Sequence, residues 1–202
     1  MNNFLFILLP VILLIGADRP PKDGYILTGN YEVTIDGTSN LRDWKEKVGD
    51  VTGEMTAVVN DDGSVELRSI RICMKVLSIK SDMGRVMDNK TYEALKAATY
   101  PEIQFTVSAP IQLVQVRDCQ TAFPVKGDLA LAGMSKPVTM LVTTFEIRQR
   151  NLSFEGSQRI NMSDYGVKPP SALFGTMRAA PDITIHFKTN FISRSILATL
   201  KN

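Results

Sequence analysis

Apolar and polar residues alternate with a period of two, on a β-branched background, through most of this 202-residue chain. No other feature constrains the fold as strongly, because successive side chains of an extended strand point to opposite faces and alternation buries only one of them. Tyr31, Val33 and Ile35 alternate with Glu32, Thr34 and Asp36. Ile70, Ile72, Met74 and Val76 alternate with Arg71, Cys73 and Lys75, and this even-numbered face is the expected interior. Strands are expected over 25–36, 48–60, 65–76, 103–116, 125–131, 138–150, 152–161 and 183–191, eight in all. Asp61-Asp62-Gly63-Ser64 tolerates the backbone of a tight turn and marks a hairpin between the second and third. Hydrophobic helical repeats between the strands are missing, which disfavours a parallel α/β sheet. One helix stands out over 88–98, with Asp88 as N-cap candidate, a stop at Tyr100-Pro101, and Met83, Met87, Tyr92 and Leu95 available for an apolar face. An all-β, antiparallel, eight-stranded chain with one short helix is expected to close into a barrel. Closure removes exposed edges and leaves an interior wide enough for side chains or one slim ligand.

Composition narrows the function. With 44% hydrophobic and 22% charged residues the chain is neither disordered nor collagen-like, and a net charge of +2 is too small to coat nucleic acid. One His and two Cys are too few to converge on a zinc cluster, an iron–sulfur centre or a His-based triad, so no metal, cofactor or catalytic constellation is expected. His186 alternates with Ile185 and Phe187 and is expected on the outer face of its strand. Cys73 lies in an apolar stretch and Cys119 in a polar loop, and a Cys73–Cys119 disulfide and two free thiols both stay open.

The N-terminal stretch 4–17 is apolar, broken by Pro10, and followed by the polar, Pro-rich 17–24. It falls short of the roughly 20 residues that span a bilayer and reads as a secretory signal over 1–17. A buried N-terminal strand is the competing reading, which Asp18-Arg19-Pro20-Pro21-Lys22 would interrupt. A linker over 18–24, one barrel domain over 25–192 and a tail over 193–202 then follow, the tail being a short helix or a disordered end. The mature form is expected to carry no transmembrane segment.

Six blocks, spread in order over nearly the whole chain, resemble the YceI-like family, also described as lipid- or polyisoprenoid-binding proteins. They are Ile35 to Trp44 (IDGTSNLRDW), Val76 to Ser81 (VLSIKS), Met87 to Lys96 (MDNKTYEALK), Tyr100 to Phe105 (YPEIQF), Val125 to Val138 (VKGDLALAGMSKPV) and Ile160 to Pro170 (INMSDYGVKPP). Arg42 stands where many members have His. The resemblance implies an extended lipocalin-like β-barrel, exported in many members, that takes a long isoprenoid or other amphipathic lipid into its interior. It further implies a homodimer in many cases and no defining enzymatic activity.

Such a barrel needs an apolar lumen tolerant of an imprecise fit and a few polar groups at one mouth. Trp44, Met74, Met83, Met87, Leu95, Phe105, Met140 and Phe187 are the lumen candidates, with Phe145 and Phe154 at alternating strand positions beside them. Flexible thioethers accommodate irregular guests, and Met55, Met134, Met162 and Met177 add to that supply. For an anionic head group the candidates are Arg42, Arg85 and Lys168, all in expected loops. The loop 164–170, stiffened by Pro169 and Pro170, is expected to act as rim or lid or simply to close the barrel. The competing reading is a barrel filled by its own side chains, acting as an exported interaction or stress-response protein without a lipid.

Overall fold

The computed structural model describes residues 23–107, 110–113, 122–148, 151–172 and 175–200. The signal expected over 1–17 and the Cys119 half of a disulfide lie outside the described residues; Cys73 is a half-buried free thiol.

The alternation becomes strands that nearly all belong to one antiparallel sheet: β1 (Asp23–Leu27), β2 (Glu32–Ser39), β3 (Trp44–Val48), β4 (Val51–Val59), β5 (Val65–Lys75) and β6 (Ile79–Ser81). After the helix α1 (Arg85–Ala94) come β7 (Glu102–Val107), β8 (Ile111–Leu113), β9 (Phe123–Leu131), β10 (Met134–Arg148) and β11 (Asn151–Asn161). The two-residue β12 (Ser171–Ala172), the long β13 (Met177–Ser193) and α2 (Arg194–Leu200) complete it. Strand β1 begins inside the stretch expected as a linker, because Asp23 and Gly24 already pair with Ala57 and Thr56.

The barrel closes where β1 pairs with β4 on one side and with β13 on the other, Tyr25 opposite Ser193 and Leu27 opposite Phe191. Around the ring the order is β1, β4, β5, β7, β9, β10, β11, β13. Several segments are halves of one stave: β1 continues as β2, β3 as β4, β5 as β6, and β7 as β8. The expected strand 25–36 is thus a kinked stave whose first half pairs β4 and whose second half pairs β3.

The β1–β2, β3–β4 and β5–β6 junctions are tied together. Gly49 N–H donates to Ser78 O at 3.1 Å and Lys75 N–H to Asp50 O at 3.0 Å. Asp50 N–H donates to Ser78 Oγ at 2.9 Å. The Tyr31 hydroxyl donates to Gly49 O at 2.9 Å and accepts from Val51 N–H at 3.1 Å. Backbone groups freed by bending are thereby re-satisfied, as buried polar groups must be.

A β-bulge at Arg68 sets which side chains point inward. Leu67 pairs with Ala57 and Ser69 with Thr56, leaving one extra residue in β5. Before the bulge the inward residues are Val65 and Leu67; after it they are Ile70, Ile72 and Met74. The even-numbered interior face therefore holds only beyond the bulge, because one inserted residue reverses the phase of a period-two strand.

At the end where β2, β3 and β6 form the wall, α1 packs on β6 and covers the gap between β6 and β7. The helix starts at Arg85, three residues earlier than expected, and Asp88 is not its N-cap. Gly84, at φ +86°, turns the chain into the helix, and Asp88 reaches back from inside the first turn to accept Ser81 N–H at 2.7 Å. The Tyr92 hydroxyl lies 2.8 Å and 3.0 Å from the carbonyls of Ile79 and Leu77, fastening helix to strand. The tail forms α2, whose Arg194 guanidinium meets Glu54 at 2.8 Å.

Candidate ligand-binding lumen

Inward side chains of the staves enclose three apolar cavities arranged in series. The largest, about 90 Å³, is walled by Leu67, Ile72, Phe105, Met140, Phe154 and Phe187 among others. The second, about 70 Å³, shares Val33, Met74 and Ile185 with it and adds Leu95, Met162 and Val167. The third, about 20 Å³, is walled by Met83, Met87 and Met177 and shares Trp44, Glu46 and Pro170 with the second. Each is smaller than the roughly 150 Å³ cavity that admits a benzene ring. Six methionines stand in these walls: Met74, Met83, Met87, Met140, Met162 and Met177. Unbranched thioethers can swing aside and join the voids.

Two close approaches shape the walls. Gly37 sits opposite Trp44 in the β2–β3 pair, and a Cβ on Gly37 would lie 2.1 Å from the indole. The bare backbone lets the ring lie flat across it, with Nε1–H donating to Thr38 O at 3.1 Å. Trp44 is the first residue of β3. It borders the second and third cavities on one side and an open polar groove on the other, where Asp36, Asp43, Lys45, Arg159 and Asp182 lie. Gly156 plays a similar part for Phe187, since a Cβ there would come within 2.8 Å of that ring and 2.1 Å of Leu141 O. Charges in the groove pair with each other, Arg159 with Asp182 at 3.0 Å and Lys45 with Asp36 at 3.3 Å. Exposed pairs of this kind contribute little.

Among the described residues the lumen wall carries one acid, Glu46. Trp44, Glu46 and Val48 face inward on β3 while Lys45 and Lys47 face out, and Glu46 is only 5% exposed. Thr91 Oγ1 on α1 donates to Glu46 Oε1 at 2.5 Å. Burial pushes the Glu46 carboxyl above the usual carboxylate range; the Thr91 hydrogen bond opposes this, and the nearby Asp88 and Asp82 reinforce it. Asp88 is engaged elsewhere, with Ser81 N–H and with Lys80 Nζ at 3.2 Å.

Each of the eight lumen candidates borders one of the three cavities. Trp44, Met74 and Leu95 line the second; Met74, Phe105, Met140 and Phe187 the first; Met83 and Met87 the third, with Trp44 again. Phe154 lines the first, and the side chain of Phe145 lies outside the description. Met55 is buried elsewhere in the core and Met134 is exposed. Arg42, Arg85 and Lys168 are exposed, in the 40–43 loop, at the start of α1 and beyond Tyr165, and border none of the cavities. Of the loop 164–170, Val167 and Pro170 close the second cavity. His186 is on the outer face, 3.6 Å from Asp36. Sequence reasoning missed Glu46 and Thr91. The signal was the run Trp44-Lys45-Glu46-Lys47-Val48, where an acid takes the apolar phase between two lysines.

Within the IDGTSNLRDW block the polar residues hold the loop before Trp44. Ser39 Oγ accepts Leu41 and Arg42 N–H at 3.2 Å and 3.1 Å and donates to Arg42 O at 2.7 Å. Asn40 clasps the loop to the start of β13, donating to Thr176 O and accepting from Arg178 N–H, both at 2.8 Å. Among the described residues no group of three or more His, Cys, Asp or Glu is placed to hold a metal ion. No described helix is long and apolar enough to cross a membrane.

Comparison with known proteins gives a consistent fold. The crystal structure of BcnA from Burkholderia cenocepacia superposes with a TM-score of 0.58 at 19% identity, covering 79% of this chain and 95% of that one. A polyisoprenoid binding domain from Saccharophagus degradans, implicated in plant cell wall breakdown, gives 0.57 at 11% identity over 84% of this chain and 98% of its own. The YCEI protein of Campylobacter jejuni gives 0.50 at 18% identity, over 72% of this chain and 82% of that one. No curated protein matches. At these identities the structural likenesses establish the fold. The family model for the YceI-like domain matches residues 30–191, most of the chain, and the chain therefore belongs to the YceI-like family.

Proposed function

We propose that the lumen takes up the apolar chain of an isoprenoid-type or other amphipathic lipid, and that the protein is a binding module which sequesters or carries it rather than an enzyme. The observation that carries this reading is the series of three apolar cavities, sharing walls and bordered by six methionines. Each buried CH₂ of a guest is worth about 0.8 kcal/mol, so six or seven methylenes offset an association cost on the order of 5 kcal/mol. The likeness to a polyisoprenoid binding domain supports the same class of ligand. The reading includes export, with 1–17 removed as a secretory signal and the barrel domain spanning 25–192. The small size of the voids favours a second reading, a barrel filled by its own side chains and serving an exported interaction or stress-response role.

Native mass spectrometry separates the two. The protein is purified without detergent from a membrane-containing host, then re-measured after addition of a C40 isoprenoid. A non-covalent adduct of lipid mass, lost on denaturation and lost in Met74→Trp, is the expected result. Bare protein in both measurements, with no shift in Tm, would leave the filled barrel as the function.

A further inference from the structure

We infer that Glu46, assisted by Thr91, is a polar station inside the lumen that receives the hydroxyl of a long-chain alcohol and turns away chains ending in an anion. This deepens the lipid-binding reading and rests on it. Glu46 borders two cavities at once, and the lumen lining around it is otherwise largely apolar. Thr91 engages Oε1 alone, so a guest threading from the third cavity to the second passes a carboxyl with spare hydrogen-bonding capacity.

The groups facing Glu46 decide which head group it suits. Asp88 on α1 and Asp82 on the connection before it both add negative potential, and Thr91 is neutral. Lys80 is committed to Asp88 and the Tyr92 hydroxyl and Lys45 to Asp36 across the outer face, while Lys47 faces out on β3. No described cation pairs with Glu46, and burial favours its neutral form. A neutral carboxyl donates one hydrogen bond and accepts others, as does an alcohol, so the two satisfy each other. A diphosphate or carboxylate would meet Glu46 in the wall, with Asp88 and Asp82 adding negative potential from behind it, and leave its own charge desolvated.

The test uses three probes with one fifteen-carbon isoprenoid chain: the alcohol, its methyl ether and its diphosphate. Titration calorimetry is run on the intact protein, on Glu46→Gln and on Glu46→Leu. The expected result is at least tenfold preference of wild type for the alcohol over both other probes. Glu46→Gln keeps that preference, and Glu46→Leu binds alcohol and ether within about threefold of each other. If Glu46→Leu does not fold, Thr91→Val replaces it, with a partial loss of the preference expected. Equal or tighter binding of the diphosphate by wild type overturns the inference, as does an unchanged preference in Glu46→Leu, which would leave Glu46 a strut between β3 and α1. Binding of none of the three by wild type overturns the lipid-binding reading itself, and the station with it.

Discussion

The two larger cavities share Val33, Met74 and Ile185, yet their walls differ in kind. The larger lies within the closed ring, and Thr189 is the one polar residue in its wall among the described residues. That hydroxyl is spent inside the wall, donating to Phe154 O at 3.3 Å. The smaller lies at the kinked end, where α1 and the loop after β11 replace staves, and its wall includes Glu46 and Thr91. Full ladder pairing leaves a strand's inward face nothing to satisfy but packing. A helix laid across a gap brings side chains at new angles and can meet a strand's acid with a hydroxyl.

The largest effect should come from the dry side. Phe154 packs edge-on against Phe191 at 6.1 Å between ring centres, and Phe154→Ala is expected to cost about 3–5 kcal/mol in urea unfolding. A cost below about 1 kcal/mol would mean that the walls collapse into the space, and that the dry cavity is less rigid than its packing implies. Next in size is Gly37→Ala. The added Cβ displaces the Trp44 indole, and overpacking of this kind costs about 1–3 kcal/mol. Trp44 is the only Trp, so its fluorescence reports the displacement directly, as a red shift on exposure to solvent.

A smaller effect sharpens the contrast through pH. Because the Glu46 pKa is raised on folding, the folded state holds that proton more tightly than the unfolded chain. Its contribution to stability is fully present below the ordinary value of 4.5 and is lost as pH rises through the folded value. Glu46→Gln removes that loss. Its Tm relative to wild type is expected to rise between pH 4 and pH 8, by about 2–4 °C for each kcal/mol of relief. A difference that stays constant across this range would show that Glu46 does not change protonation on folding. The smallest effect is a control at the end of α1. Lys96 is left-handed at φ +54°, with Ala97 N–H bonded to Tyr92 O and Lys96 N–H to Glu93 O, a helix end that favours glycine. Lys96→Gly is expected to add up to about 1 kcal/mol in thermal unfolding while leaving the Trp44 fluorescence unchanged.

Much of the barrel was legible because alternation is a local signal. The eight expected strands correspond to the staves, and Phe105, Met140 and Phe187, lumen candidates by residue type and strand position, border the largest of the three cavities. Glu46 was missed for an equally local reason. The expected second strand begins at Val48, so Trp44 and Glu46 lie outside every expected strand. Asp88 fits an N-cap by residue type, whereas the turn at Gly84 starts the helix earlier.

By itself, then, the sequence determined that the chain would form antiparallel strands, which faces would be apolar, and which family it resembles, since each of these depends on residue type and short-range order. Tertiary structure alone decided where the staves kink, where Arg68 reverses the phase of β5, and that Thr91 would stand 2.5 Å from Glu46. Those features depend on contacts between residues far apart in the chain, here 45 positions for the Glu46–Thr91 pair, and no local pattern encodes the bend of a sheet that brings them together.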